Sequence, residues 1–149
     1  MTKKQATSNN LEHLLVELLA SPQKFHKVIL PSEIGMLSKL KHLRVLGKRL
    51  SGVIPKEFGR LTNLETLEWY YTSVSCDIPS ELGQLSSLRF LGLSDTSLSG
   101  KLPKQLNNIK SLAQISLCRT NVACSGVMDR GNWSCRICKL QWRQYRDVL

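Results

Sequence analysis

The chain has 149 residues, 42% of them hydrophobic, enough for a single core and a single domain. Its longest apolar-rich segment, Leu11 to Ala20, is broken by Glu12, His13 and Glu17, so no stretch approaches the roughly 18 consecutive apolar residues of a membrane span. The formal charge of +10 invites a nucleic-acid reading, but residues 1–60 hold 11 basic and 4 acidic residues, 61–100 hold only Arg89 against 5 acidic residues, and 101–149 hold 9 basic and 2 acidic. Two basic ends around an acidic middle do not build a continuous phosphate-tracking groove, and nucleic acid is not expected as a specific ligand.

Residues 1–28 read as an N-terminal cap and lead-in. Met1 to Gln5 carries positive charge, but Gln5 to Asn10 is polar where the apolar core of a secretory leader should follow. The chain is therefore expected to be intracellular or organellar, or secreted if a leader was removed. A helix is predicted over residues 9–20. Asn9 can cap it with Glu12 three residues on, Leu11, Leu14, Leu15, Leu18 and Leu19 line one face, and Pro22 ends it. Its polar face is acidic rather than lysine-rich, which favours a cap over a membrane or partner helix.

Residues 29–126 repeat with a period of 24. Pro31, Pro55, Pro79 and Pro103 recur, as do Gly35, Gly59 and Gly83 with Asn107 in the fourth copy. Apolar columns follow in register: Leu37, Leu61, Leu85 and Ile109; Leu40, Leu64, Leu88 and Leu112; Leu43, Leu67, Leu91 and Ile115; Val45, Trp69, Leu93 and Leu117; Leu50, Val74, Leu98 and Val122. The end of each L-x-x-L-x-L run alternates with period two, as a half-buried strand does. Strands a fixed 24 residues apart, with no room for a hairpin return, must stack in parallel as coils of a solenoid. Proline marks the turn that follows, since it cannot donate to a ladder, and the recurring glycine fits a bend or a close approach between coils.

The lines Ile54-Pro55-Lys56-Glu57-Phe58-Gly59-Arg60-Leu61-Thr62-Asn63-Leu64 and Ile78-Pro79-Ser80-Glu81-Leu82-Gly83-Gln84-Leu85-Ser86-Ser87-Leu88, with Leu98-Ser99-Gly100, carry a resemblance. They resemble the plant-type, 24-residue class of leucine-rich repeats found in receptor-kinase ectodomains, polygalacturonase inhibitors and related plant and algal proteins. The resemblance implies an α/β solenoid, a right-handed coil with a short parallel β-sheet on its concave face and caps at both ends. That family usually sets asparagine after the strand; here the column reads Lys48, Thr72, Thr96 and Thr120. Threonine can replace part of that hydrogen bonding, whereas a lysine is costly to bury, so Lys48 is expected to reach solvent. The cysteine-containing N-terminal cap of secreted members is missing.

Strand alternation assigns the outward residues of the sheet. The candidate partner-binding set is His42, Arg44, Thr66, Glu68, Tyr70, Tyr71, Phe90, Ser94, Asp95, Gln114 and Arg119. Tyr70, Tyr71 and Phe90 form an aromatic cluster beside Glu68 and Asp95, the composition of a protein-binding hot spot with an acidic centre.

Residues 127–149 read as a C-terminal cap and basic tail. Period-two alternation points Cys118 at the concave face and leaves Cys124, Cys135 and Cys138 for a structural cap, in which Cys124 pairs with Cys135 or Cys138. A four-thiolate zinc site of Cys118, Cys124, Cys135 and Cys138 is the alternative. Two coils separate Cys76 from Cys124 by roughly 10 Å, too far for a disulfide. The cysteine cluster resembles, more loosely, the caps of algal members. Asn132-Trp133-Ser134 fits a glycosylation triplet that arises often by chance, and Gln141 to Arg146 is either a tail packed on the last coil or a docking arm.

No convergent catalytic constellation, cofactor loop or metal motif is present, so neither enzymatic activity nor a cofactor is expected. The function expected is a non-catalytic interaction module that binds a protein through its concave face. Two alternatives stand beside it: an accessory structural subunit docked by its basic ends into a large photosynthetic or ribonucleoprotein assembly, and a ligand-binding fragment of a cell-surface receptor.

Overall fold

The computed structural model describes residues 12–17, 28–123 and 134–136. Among these the chain winds as the repeat demands. Each coil lays down one short strand, turns, and returns through a 3-10 turn behind a proline. The main strands are β1 (His13–Glu17), β2 (His42–Leu46), β4 (Thr66–Tyr70), β6 (Phe90–Gly92), β7 (Gln114–Ser116) and β8 (Ser134–Arg136). All are parallel, in the order β1-β2-β4-β6-β7-β8. The register is the 24-residue period made physical: His42 stands opposite Thr66, Thr66 opposite Phe90, and Phe90 opposite Gln114.

On the flank, β3 (Ser51–Gly52) pairs in parallel with β5 (Ser73–Val74). Bridges Val28–Leu50, Asp77–Ser99 and Lys101–Ala123 extend that second ladder. Four 3-10 turns, Ser32–Met36, Lys56–Arg60, Ser80–Gln84 and Lys104–Asn108, each follow one of the periodic prolines, whose fixed φ near −60° starts the turn. The predicted apolar columns are the core. Leu40, Leu64, Leu88, Leu67, Leu91, Ile115, Trp69 and Leu93 are fully or almost fully buried, and Phe58 packs on Trp69 with ring centroids 5.9 Å apart.

The column glycines serve close approach. A β-carbon on Gly35, Gly59 or Gly83 would lie 2.4 to 2.6 Å from the carbonyl oxygen of Glu57, Glu81 or Gln105 in the following coil. Asn107, in the same column of the fourth coil, is exposed.

The N-terminal segment departs from expectation. In place of the central turns of a helix over 9–20, His13–Glu17 is a strand. Leu14 and Val16 also fit period two, and the register sets them opposite Leu43 and Val45. The backbone N–H groups of Lys41 and His42 both donate to the Glu12 carbonyl, at 2.8 and 3.0 Å, and Lys41 pairs with the Glu12 carboxylate at 3.1 Å. Closing the exposed edge of β2 outweighs a short helix, for which isolated propensity is weak. At the other end β8 continues the sheet, with Cys135 opposite Ile115.

Cys118 is disulfide-bonded, contrary to its expected exclusion from the cap, and a sulfur so engaged cannot serve in a four-thiolate zinc site. Cys124, Cys138 and the 141–146 tail lie outside the described residues. Cys76 carries a free, half-buried thiol, and Lys48 is exposed as expected.

Candidate functional site

The outward columns of the sheet bring the expected residues onto one face. His42, Thr66, Phe90 and Gln114 form one row, Arg44, Glu68, Gly92 and Ser116 the next, and Tyr70 follows in register with Leu46. The rings of Tyr70, Tyr71 and Phe90 are half-buried rather than fully exposed. The cause is Gly92. The Tyr70 hydroxyl and the Phe90 ring edge would stand 2.2 and 3.1 Å from a β-carbon there, so two aromatic side chains lie over the one position of the row that has no side chain.

The acidic centre expected from the sequence is not what the face presents. Arg44 reaches across one coil to hydrogen-bond Glu68, and Arg119 does the same to Asp95. Each carboxylate sits beneath its guanidinium: the side chain of Arg44 is 56% exposed against 13% for Glu68, and that of Arg119 35% against 17% for Asp95. The hydrogen bond that Arg119 donates to Asp95 holds the guanidinium proton more firmly than usual, against a smaller opposing effect of burial, and a side-chain hydrogen bond with Tyr71 adds to it. Charge counted along the chain misses this, because the compensating arginines lie 24 residues away in the flanking segments.

Tyr71, Asp95 and Arg119 share a column and a strained backbone, with φ of 54°, 57° and 55°; Gly47 holds the same place in the first coil at φ 135°. Left-handed conformation in three successive non-glycine residues costs on the order of 1 kcal/mol each. Its local function is to turn the chain out of the sheet while Asp95 N–H donates to the Cys118 carbonyl at 2.8 Å and Thr72 N–H to the Asp95 carbonyl at 3.1 Å.

Beside it, Ser94 is buried, its hydroxyl 3.0 Å from that of Ser116 and accepting the Cys118 N–H at 3.1 Å. Ser94 is thus a structural link rather than an open contact. His13, which the helical reading places off the sheet, instead stacks on His42 with centroids 4.5 Å apart. The period-two signal in His13-Leu14-Leu15-Val16-Glu17 is what could have found it.

Among the described residues no group of three or more His, Cys, Asp or Glu side chains converges as a metal site, and no helix is long and apolar enough to cross a membrane. Two open depressions, of about 640 and 500 Å³, lie on the flank around Asp77, Lys101 and Lys104 and around Ile29, Val53 and Lys56, away from the outward columns.

A family model described as a leucine-rich repeat region matches residues 9–143. A search of curated proteins finds no match. Solved structures similar to the chain include the ectodomain of BIR2 from Arabidopsis thaliana, 29% identical with a TM-score of 0.60 over 64% of this chain and 50% of that one. The ectodomain of the Arabidopsis receptor kinase SOBIR1 is 29% identical with a TM-score of 0.62, covering 74% of this chain and 57% of that one. The Arabidopsis receptor kinase HAESA, in complex with an IDA peptide hormone ligand, is 36% identical with a TM-score of 0.60, covering 63% of this chain and 16% of that one. The chain spans half of the BIR2 ectodomain and a smaller share of the HAESA one.

Proposed function

Because the chain belongs to the leucine-rich-repeat family, and so to a plant-type repeat resembling receptor ectodomains, we propose that it is a non-catalytic module that binds a protein segment on its concave face. The observation that carries this reading is the meeting of Tyr70 and Phe90 over Gly92, between two cross-coil ion pairs. Rigid aromatic rings with a polar surround are the usual anchors of a protein interface. Tyr71, Asp95 and Arg119 border the cluster on one side, and His42, Thr66, Gln114 and Arg44 on the other. Similarity to HAESA, solved with a peptide hormone, supports a peptide-like partner over a globular one.

Site-specific photo-crosslinking in native extract tests the face. A photoreactive side chain at position 90 should capture a partner that the same group at Lys104, on the far turn, does not. Tyr70→Ala with Phe90→Ala should weaken binding by about 2 kcal/mol or more while stability stays within about 1 kcal/mol. Capture from Lys104 alone would favour the accessory-subunit reading, for which the two basic ends of the chain argue.

A further inference from the structure

Resting on that concave-face reading, we propose that the partner segment is acidic: an extended stretch with two carboxylates about four residues apart and an apolar side chain between them. In both cross-coil pairs the cation is the outer member, so an approaching chain meets Arg44 and Arg119 before it meets Glu68 or Asp95. Those two are the only carboxylates whose side chains are described in the outward columns from His42 to Arg119. At the leading edge of the strands, Glu12 is paired with Lys41, and Glu65 falls in the column between Lys41 and Arg89. Between the two arginines lie the uncharged rings of Tyr70 and Phe90. A guanidinium offers five donors in a planar fork, so it can face a carboxylate of the sheet and one of a partner together.

The spacing follows from the fold. Arg44 and Arg119 are three coils apart at about 4.8 Å each, and three positions apart along the strand at about 3.3 Å each, which separates them by roughly 17 Å. An extended segment advances about 3.4 Å per residue and turns alternate side chains to one side, so carboxylates four residues apart stand about 14 Å from each other. The reach of two arginine side chains spans the difference. The residue midway then lies over Tyr70 and Phe90. The net positive charge of the chain attracts such a partner at long range.

The test is fluorescence anisotropy of the full chain with a labelled peptide, Ser-Asp-Ala-Leu-Ala-Asp-Ser, beside counterparts with both Asp replaced by Lys or the Leu replaced by Ser. The acidic peptide should bind at least about tenfold more tightly than the lysine one, and raised salt should weaken it. Arg44→Gln or Arg119→Gln should each lose about tenfold, and Arg44→Lys less, with circular dichroism unchanged. Equal or tighter binding of the lysine peptide, indifference of the acidic peptide to both arginine variants, or binding of none of the three overturns the proposal. The serine peptide keeps both carboxylates and should bind more weakly than the leucine one. If the lysine peptide binds at least as tightly as the acidic one and Tyr70→Ala with Phe90→Ala abolishes it, the concave face stands and the acidic partner falls. Binding that ignores all four side chains takes the concave-face reading down with it.

Discussion

The hydroxyl of Tyr70, on the second coil, lies 2.2 Å from the point where a β-carbon of Gly92 would stand on the third. Gly92→Ala should therefore push the tyrosine off the sheet. The obstructing atom is the end of a rotatable side chain and the added methyl favours the strand, so stability should change by less than about 1 kcal/mol. Nuclear Overhauser contacts between the Tyr70 ring and residue 92 should vanish while the amide spectrum of the core persists. Persistence of those contacts in the variant would refute the placement.

The turn glycines should behave in the opposite way. A methyl on Gly59 would meet the backbone of Glu81, 2.4 Å from its carbonyl oxygen, and backbone cannot swing aside. Gly59→Ala is expected to cost about 2 kcal/mol or more, in the range of overpacked cores. Asn107→Ala, in the same column but exposed, should fall within about 0.5 kcal/mol. Denaturant melts of the two variants make the comparison.

Within the threonine column, two buried hydroxyls differ in partner. Thr96 donates to the Leu93 carbonyl at 3.0 Å, whereas the Thr72 hydroxyl has no hydrogen-bond partner among the described residues. Thr96→Val should lose about 1 kcal/mol and Thr72→Val should be neutral or stabilising, since it removes a buried unsatisfied group. Equal losses at both positions, read by equilibrium unfolding, would contradict the hydrogen-bond assignment.

The cysteines give a chemical test. Burial raises the Cys76 thiol above its ordinary pKa, opposed by a backbone hydrogen bond at Ile54 and aided by the charge of Asp77. A raised pKa means less thiolate at a given pH, so iodoacetamide at pH about 8 should modify Cys76 more slowly in the folded chain than in urea. Non-reducing peptide mapping should find Cys118 linked to another cysteine and Cys76 unlinked. A linked Cys76 would reverse the assignment.

The solenoid is legible in the sequence because its information is one-dimensional. A period of 24 fixes which residues stack, and period two within each run fixes which of them face inward. Those two periods alone assign Leu67, Trp69 and Leu91 to the core and Tyr70 and Phe90 to the outer face. The tertiary structure decided what depends on contact across coils. Leu14 and Val16 satisfy a strand period where Leu14, Leu15 and Leu18 satisfy a helical one, and only the open edge of β2 selects the strand. Glu68 and Asp95 read as an acidic centre along the chain. Stacking at about 4.8 Å brings Arg44 and Arg119 within reach, and the longer guanidinium side chains settle on the solvent side because they can lie over the shorter carboxylates.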